Sequence, residues 1–105
     1  MTSVRFFYDG DRMFGFSVKG HSTTGCDDEN GRLVCSAISS AAYMAANTVT
    51  EIIGDKADIE VEDGKMVLKT LNPSDKTVAV LEGFKLHIEQ LAEEYSNSIK
   101  IISEV

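Results

Sequence analysis

The sequence predicts a two-layer α+β domain in the order β-β-α-β-β-α-β, a mainly antiparallel sheet with two helices on one face. Three observations predict it. Two Asp-Gly turns, Asp9-Gly10 and Asp63-Gly64, each sit between alternating apolar runs. Two longer segments carry apolar residues at helical spacing. A short isoleucine-rich run closes the chain.

Val4, Phe6 and Tyr8 alternate with Arg5 and Phe7, which is the pattern of a strand with one buried face. Asp9-Gly10 supplies a hairpin turn, and Phe14, Phe16 and Val18 form the return strand, ended by Gly20. Val34, Ile38, Ala41, Ala42, Ala45, Val49, Ile52 and Ile53 share one helical face, so a helix is expected from about Leu33 to Ile53, stopped by Gly54. Ile59 and Val61, then Met66 to Leu71, make a second hairpin around Asp63-Gly64. Asn72-Pro73 breaks the chain direction, and Ser74 is placed to cap the next helix. That helix carries Val78, Leu81, Phe84, Ile88, Leu91, Ala92 and Tyr95 on its apolar face. Ile99, Ile101 and Ile102 form the last strand. Phe7 and Ile102 fall on the outward face of the sheet, where apolar residues suggest a homodimer contact.

At 105 residues the chain is read as a single domain, 1–105. There are ten basic and 17 acidic residues, a net charge of -7, and the basic ones are scattered. A phosphate-binding surface needs clustered Lys and Arg, so direct nucleic-acid binding is not expected; the acidity suits a basic partner. With no apolar run of membrane-spanning length and no leader-like start, the reading is cytoplasmic, without a membrane association. Two cysteines are present, Cys26 and Cys35, and in a reducing cytosol both are expected as thiols. The two histidines and two cysteines lack the spacing of a zinc site. No metal and no cofactor are expected.

The chemistry concentrates in one stretch. Gly20-His21 stands at a strand end, and Cys35 stands where the apolar periodicity places the start of the long helix. Unpaired amides and the positive end of the helix dipole at such a start favour a thiolate. A histidine within reach can hold that thiolate and protonate a leaving amine. Cys26 is a poor nucleophile, because Asp27, Asp28 and Glu29 follow it and disfavour a thiolate. The loop between the pair includes Ser22, Gly25, Asp27, Asp28, Gly31 and Arg32 and is read as closing over a substrate. Amides near Cys35 and Ser36 are the expected oxyanion donors. Ser39 lies one helical turn beyond Cys35 on the same face and is expected to support the site.

Gly20-His21-Ser22 and Val34-Cys35-Ser36-Ala37-Ile38-Ser39, with the intervening glycine-containing loop, resemble the signature of the ribosomal-processing cysteine protease family, called Prp. The segment Leu81-Glu82-Gly83-Phe84 to Glu93-Glu94-Tyr95 is similar to the family's second helix. The resemblance implies a Cys–His dyad of Cys35 and His21, a cytosolic homodimer, and removal of an N-terminal extension from a large-subunit ribosomal protein, number twenty-seven. Two positions depart from the family pattern. Arg32 stands where members usually carry Asp, and Ser22 follows the Gly-His pair where Ala is common. Two other classes compete with the protease: a non-catalytic dimeric module binding a ribosomal protein or assembly factor, and a thiol redox sensor using Cys26 and Cys35.

Overall fold

A computed structural model describes residues 1–20 and 29–104, with Glu29 and Asn30 described in their backbone only. The elements are β1 (Thr2–Asp9), β2 (Arg12–Lys19), α1 (Glu29–Asn47), a π-helical continuation (Thr48–Ile53), β3 (Ala57–Glu62), β4 (Lys65–Thr70), α2 (Asp75–Glu94) and β5 (Ile99–Glu104). The expected order and class are those observed. The five strands form one sheet in the order β3-β4-β2-β1-β5. All neighbours are antiparallel except β1 and β5, which run parallel with Thr2 opposite Ile99.

Alternation in β1 decides which side chains enter the core. Thr2, Val4 and Phe6 are buried on one face, while Ser3, Arg5 and Phe7 are only half-buried on the other. Helix α2 covers the inner face. Its Phe84 ring meets Phe6 edge-on, with centroids 5.9 Å apart, and lies 4.5 Å from Phe16. Leu81 and Ile88, one turn to either side, are fully buried. Truncating Phe84 to Ala would cost about 3–5 kcal/mol, because the cavity left between two strands and a helix cannot collapse. Val34, Ile38, Ala42 and Ala45 from α1, and Val49 from its π-helical continuation, complete the core.

On the outer face, Phe7 has local packing partners. The register of β1 on β2 shifts between Phe7 and Tyr8, leaving Phe14 unpaired in a bulge. Phe14 stacks on Phe7 at 6.0 Å, and the Lys69 ammonium sits 4.9 Å from the Phe7 ring. Arg5 pairs with Glu104 across the parallel strands. Gly15 is required where β2 meets β4, since a Cβ there would stand 2.2 Å from the Leu68 carbonyl oxygen.

The turn into α2 is fixed by a polar cluster. Ser74 caps the helix by accepting from the Thr77 amide, as the sequence predicts. One Asp55 oxygen in turn accepts from the Ser74 amide (2.9 Å), the Ser74 hydroxyl (2.8 Å) and the Thr77 hydroxyl (2.6 Å). Among the described residues, no helix is long and apolar enough to cross a membrane.

Candidate active site

Three chain segments converge at one end of the sheet. The first is the start of β1. Thr2 is buried, and its amide donates to the Ser98 carbonyl at 2.8 Å, which anchors the strand beside β5. The second is Gly20, just past β2. Its amide donates to the Gly64 carbonyl in the β3–β4 turn at 2.8 Å, so the residue is held by the neighbouring hairpin. Its φ of +88° lies in the left-handed region, and a Cβ would approach the Met1 carbonyl oxygen to 2.7 Å. The third is α1, which presents Cys35 to the other two.

Cys35 is 7 % exposed. Its Sγ lies 3.7 Å from Thr2 Oγ1 and 3.7 Å from the Gly20 carbonyl oxygen. Cys35 is disulfide-bonded in this structure, through a partner outside the described residues. That departs from the expectation of free thiols. The compartment argument concerns which redox state persists in a cell; it carries no information on which sulfurs the fold allows to meet. A disulfide sulfur has no proton to give, so in this state Thr2 is the donor of its pair and the Gly20 oxygen is only a contact. On reduction, the thiol proton has that oxygen as an acceptor.

The helix start differs from expectation. The sequence places it near Leu33, with Cys35 in the first turn; α1 is already helical at Glu29, the first residue described after position 28, so Cys35 lies beyond the first turn. The apolar periodicity begins only where the helix reaches the core, so the polar turn before it leaves no such signal. Two consequences follow for the chemistry. The dipole effect is strongest within the first turn and is weaker at Cys35 than expected. The amides of Cys35 and Ser36 fall within the i→i−4 ladder, so they are not the spare oxyanion donors the sequence suggests.

Of the other expected site residues, Gly20 stands beside the sulfur. Ser39 is half-buried one turn beyond Cys35, whereas Ser36 is exposed and faces away from the buried side that holds Cys35. Gly31 is half-buried and Arg32 exposed in the first turn of α1. His21, Ser22, Gly25, Asp27 and Asp28, together with Cys26, lie outside the described residues. Thr2 was not anticipated. The signal was available, since Thr2 continues the inward period of Val4 and Phe6 and is thus a polar residue on an apolar face.

Two grooves are lined by residues away from this end. One of about 520 Å³ lies at the β1–β2 turn, against Tyr8, Arg12, Phe14 and Pro73. The other, about 370 Å³, lies between the helices, against Met44, Thr48, Val80 and His87. Cys35 lines neither.

A buried cysteine on a helix packs beneath the joined ends of two strands, and the family comparison assigns a chain with this arrangement to the cysteine proteases. The model of the family described as cysteine protease Prp matches residues 1–100, and the chain belongs to that family. Solved structures agree in fold. An essential ribosomal processing protease Prp from S. aureus in complex with a substrate peptide superposes with a TM-score of 0.90 at 17% identity, covering 99% of this chain and 100% of that one. The same enzyme with a covalently linked product peptide gives 0.83 at 18% identity, covering 99% and 100%. SMU.848 from Streptococcus mutans gives 0.86 at 22% identity, covering 99% of each chain. No curated protein matches the sequence.

Proposed function

We propose that this protease is a ribosomal-processing endopeptidase that removes the N-terminal extension of a large-subunit ribosomal protein, number twenty-seven, and so supports ribosome assembly. The observation that carries the reading is the family match over residues 1–100, together with a cysteine at the family's motif position that packs beneath Thr2 and Gly20. The S. aureus structures, of a ribosomal processing protease with a substrate and with a product peptide, support the substrate class. An acidic enzyme of net charge -7 also attracts a basic ribosomal protein.

The chemistry is acyl transfer by a Cys35–His21 dyad. The Cys35 thiolate attacks the scissile carbonyl carbon. The C–N bond breaks as the His21 imidazolium protonates the departing amine, leaving a thioester on Cys35. Water, deprotonated by His21, attacks that thioester; the acid product leaves and the thiol is regenerated. The cycle requires Cys35 in the reduced state. Gly20 positions the histidine that follows it, Ser39 supports the cysteine from the next turn of α1, and the stretch from Ser22 to Arg32 closes over the substrate. The protein works in the cytoplasm as a homodimer, without metal or cofactor. The test is to incubate the reduced protein with the ribosomal precursor and map the new N-terminus by mass spectrometry. A single cut that removes the N-terminal extension supports the reading, and an uncut precursor opposes it.

A further inference from the structure

We infer that Thr2 is a positioning residue for the nucleophile: its buried hydroxyl donates to the Cys35 sulfur and holds it under the converging strand ends. The inference rests on the protease reading for its functional meaning, but on geometry for its existence. Thr2 is 2 % exposed, on the inner face of β1, and its backbone is held along the β5 edge, by Ser98 and by the parallel pairing with β5. Its Oγ1 lies 3.7 Å from Cys35 Sγ, and the described residues offer that hydroxyl no other hydrogen-bond partner. A buried hydroxyl without a partner is unfavourable, so the sulfur is where its donor points.

The two contacts of Cys35 have opposite effects on its proton. The Gly20 carbonyl is an acceptor only, so it favours the protonated thiol. The Thr2 hydroxyl can donate, so it favours the thiolate. With Cys35 beyond the first turn of α1, the helix start contributes less to the thiolate, and the hydroxyl supplies a donor that the helix end does not. The charged side chains next in sequence to the converging segments, among the described residues, are Lys19 on β2, Arg32 on α1 and Lys100 on β5, with Glu62, Asp63 and Lys65 around the Gly64 that Gly20 bonds; none of them is changed in the variants below.

The test uses the reduced full-length chain. Iodoacetamide labelling of Cys35 is followed against pH, with the modified peptide resolved by mass spectrometry so that Cys26 does not contribute. Thr2→Val keeps the shape and removes the hydroxyl; Thr2→Ser keeps the hydroxyl. The expected result is a labelling midpoint raised by about one pH unit in Thr2→Val and unchanged in Thr2→Ser. On the precursor, Thr2→Val should lose about tenfold in kcat with KM little changed, and Thr2→Ser should restore it. Should Thr2→Val not fold, Thr2→Ala gives the same comparison. A wild-type midpoint in the hydroxyl-free variant overturns the inference, whatever the cleavage assay shows. A raised midpoint in a protein that cuts no precursor would leave the contact standing and remove the protease reading instead.

Discussion

The carbonyl oxygen of Gly20 lies 3.7 Å from the sulfur of Cys35. This contact ties the end of β2 to α1 and places the residue before His21 against the Cys35 sulfur. It depends on a backbone conformation that only glycine adopts readily, with φ at +88° and the Met1 carbonyl where a Cβ would be. Gly20→Ala is therefore expected to destabilise the fold by about 1–3 kcal/mol, by strain and by displacing β1. The loss of cleavage should exceed what the unfolded fraction explains. Thermal melting and kcat/KM measured at a temperature where both proteins are folded separate the two effects.

A disulfide-bonded Cys35 cannot attack a carbonyl. Protein purified without reductant is expected to be inactive and to resist iodoacetamide at Cys35. Adding dithiothreitol should restore both activity and labelling in parallel. Full activity with Cys35 still oxidised would contradict its role as nucleophile.

Asp55 holds the start of α2, and three hydrogen bonds to one carboxylate lower its pKa below the usual aspartate value; the Thr77 hydroxyl contributes most, then the Ser74 amide and hydroxyl. The folded-state pKa is depressed, so the stabilisation is present above the unfolded value of about 4 and is lost as pH falls through the folded one. Urea titrations across that acid window should show stability falling in the wild type and falling less in Asp55→Asn. Ser74→Ala removes the cap itself and should cost about 1 kcal/mol at neutral pH.

At the opposite end of β1, Lys85 Nζ donates to the Tyr8 hydroxyl at 2.8 Å, and that hydroxyl donates to Glu82 Oε1 at 2.8 Å. Burial raises the Tyr8 pKa, with the Lys85 bond opposing and Glu82 adding; the bond to Tyr8 raises that of Lys85. Both protonated forms are favoured by folding. Their contribution is complete below the unfolded values near 10 and is lost as pH rises through the folded ones. Tyr8→Phe should flatten the alkaline fall in melting temperature. An identical fall in the variant would remove this triplet as its cause.

Most of the fold was legible in the chain because its core obeys simple periods. Val4 and Phe6, Phe16 and Val18, and Leu81, Phe84 and Ile88 are apolar at the spacing that buries them, and all are buried. What sequence periodicity missed was polar or non-local. The first turn of α1 adds no apolar residue to the pattern. The parallel pairing of β1 with β5 joins the two ends of the chain, a relationship that no local pattern encodes. Phe7 read as an unpartnered apolar residue, but a bulge that turns Phe14 outward gives it a stacking partner. At the site, Cys35 and Gly20 were legible as a motif. Thr2 left only the signal of a polar residue on an inward apolar period, and its meaning depends on the Cys35 sulfur packed beneath it.

The proposed reaction is cleavage of the ribosomal precursor by the Cys35 sulfur, with His21 as its acid and base. Its most direct test is the cleavage rate of reduced wild type, Cys35→Ala and His21→Ala on the same extension peptide. The account predicts that the wild type cuts at one position, while both variants, folded by circular dichroism, fall by at least about a thousandfold. Cleavage by Cys35→Ala at a rate near that of the wild type would contradict it.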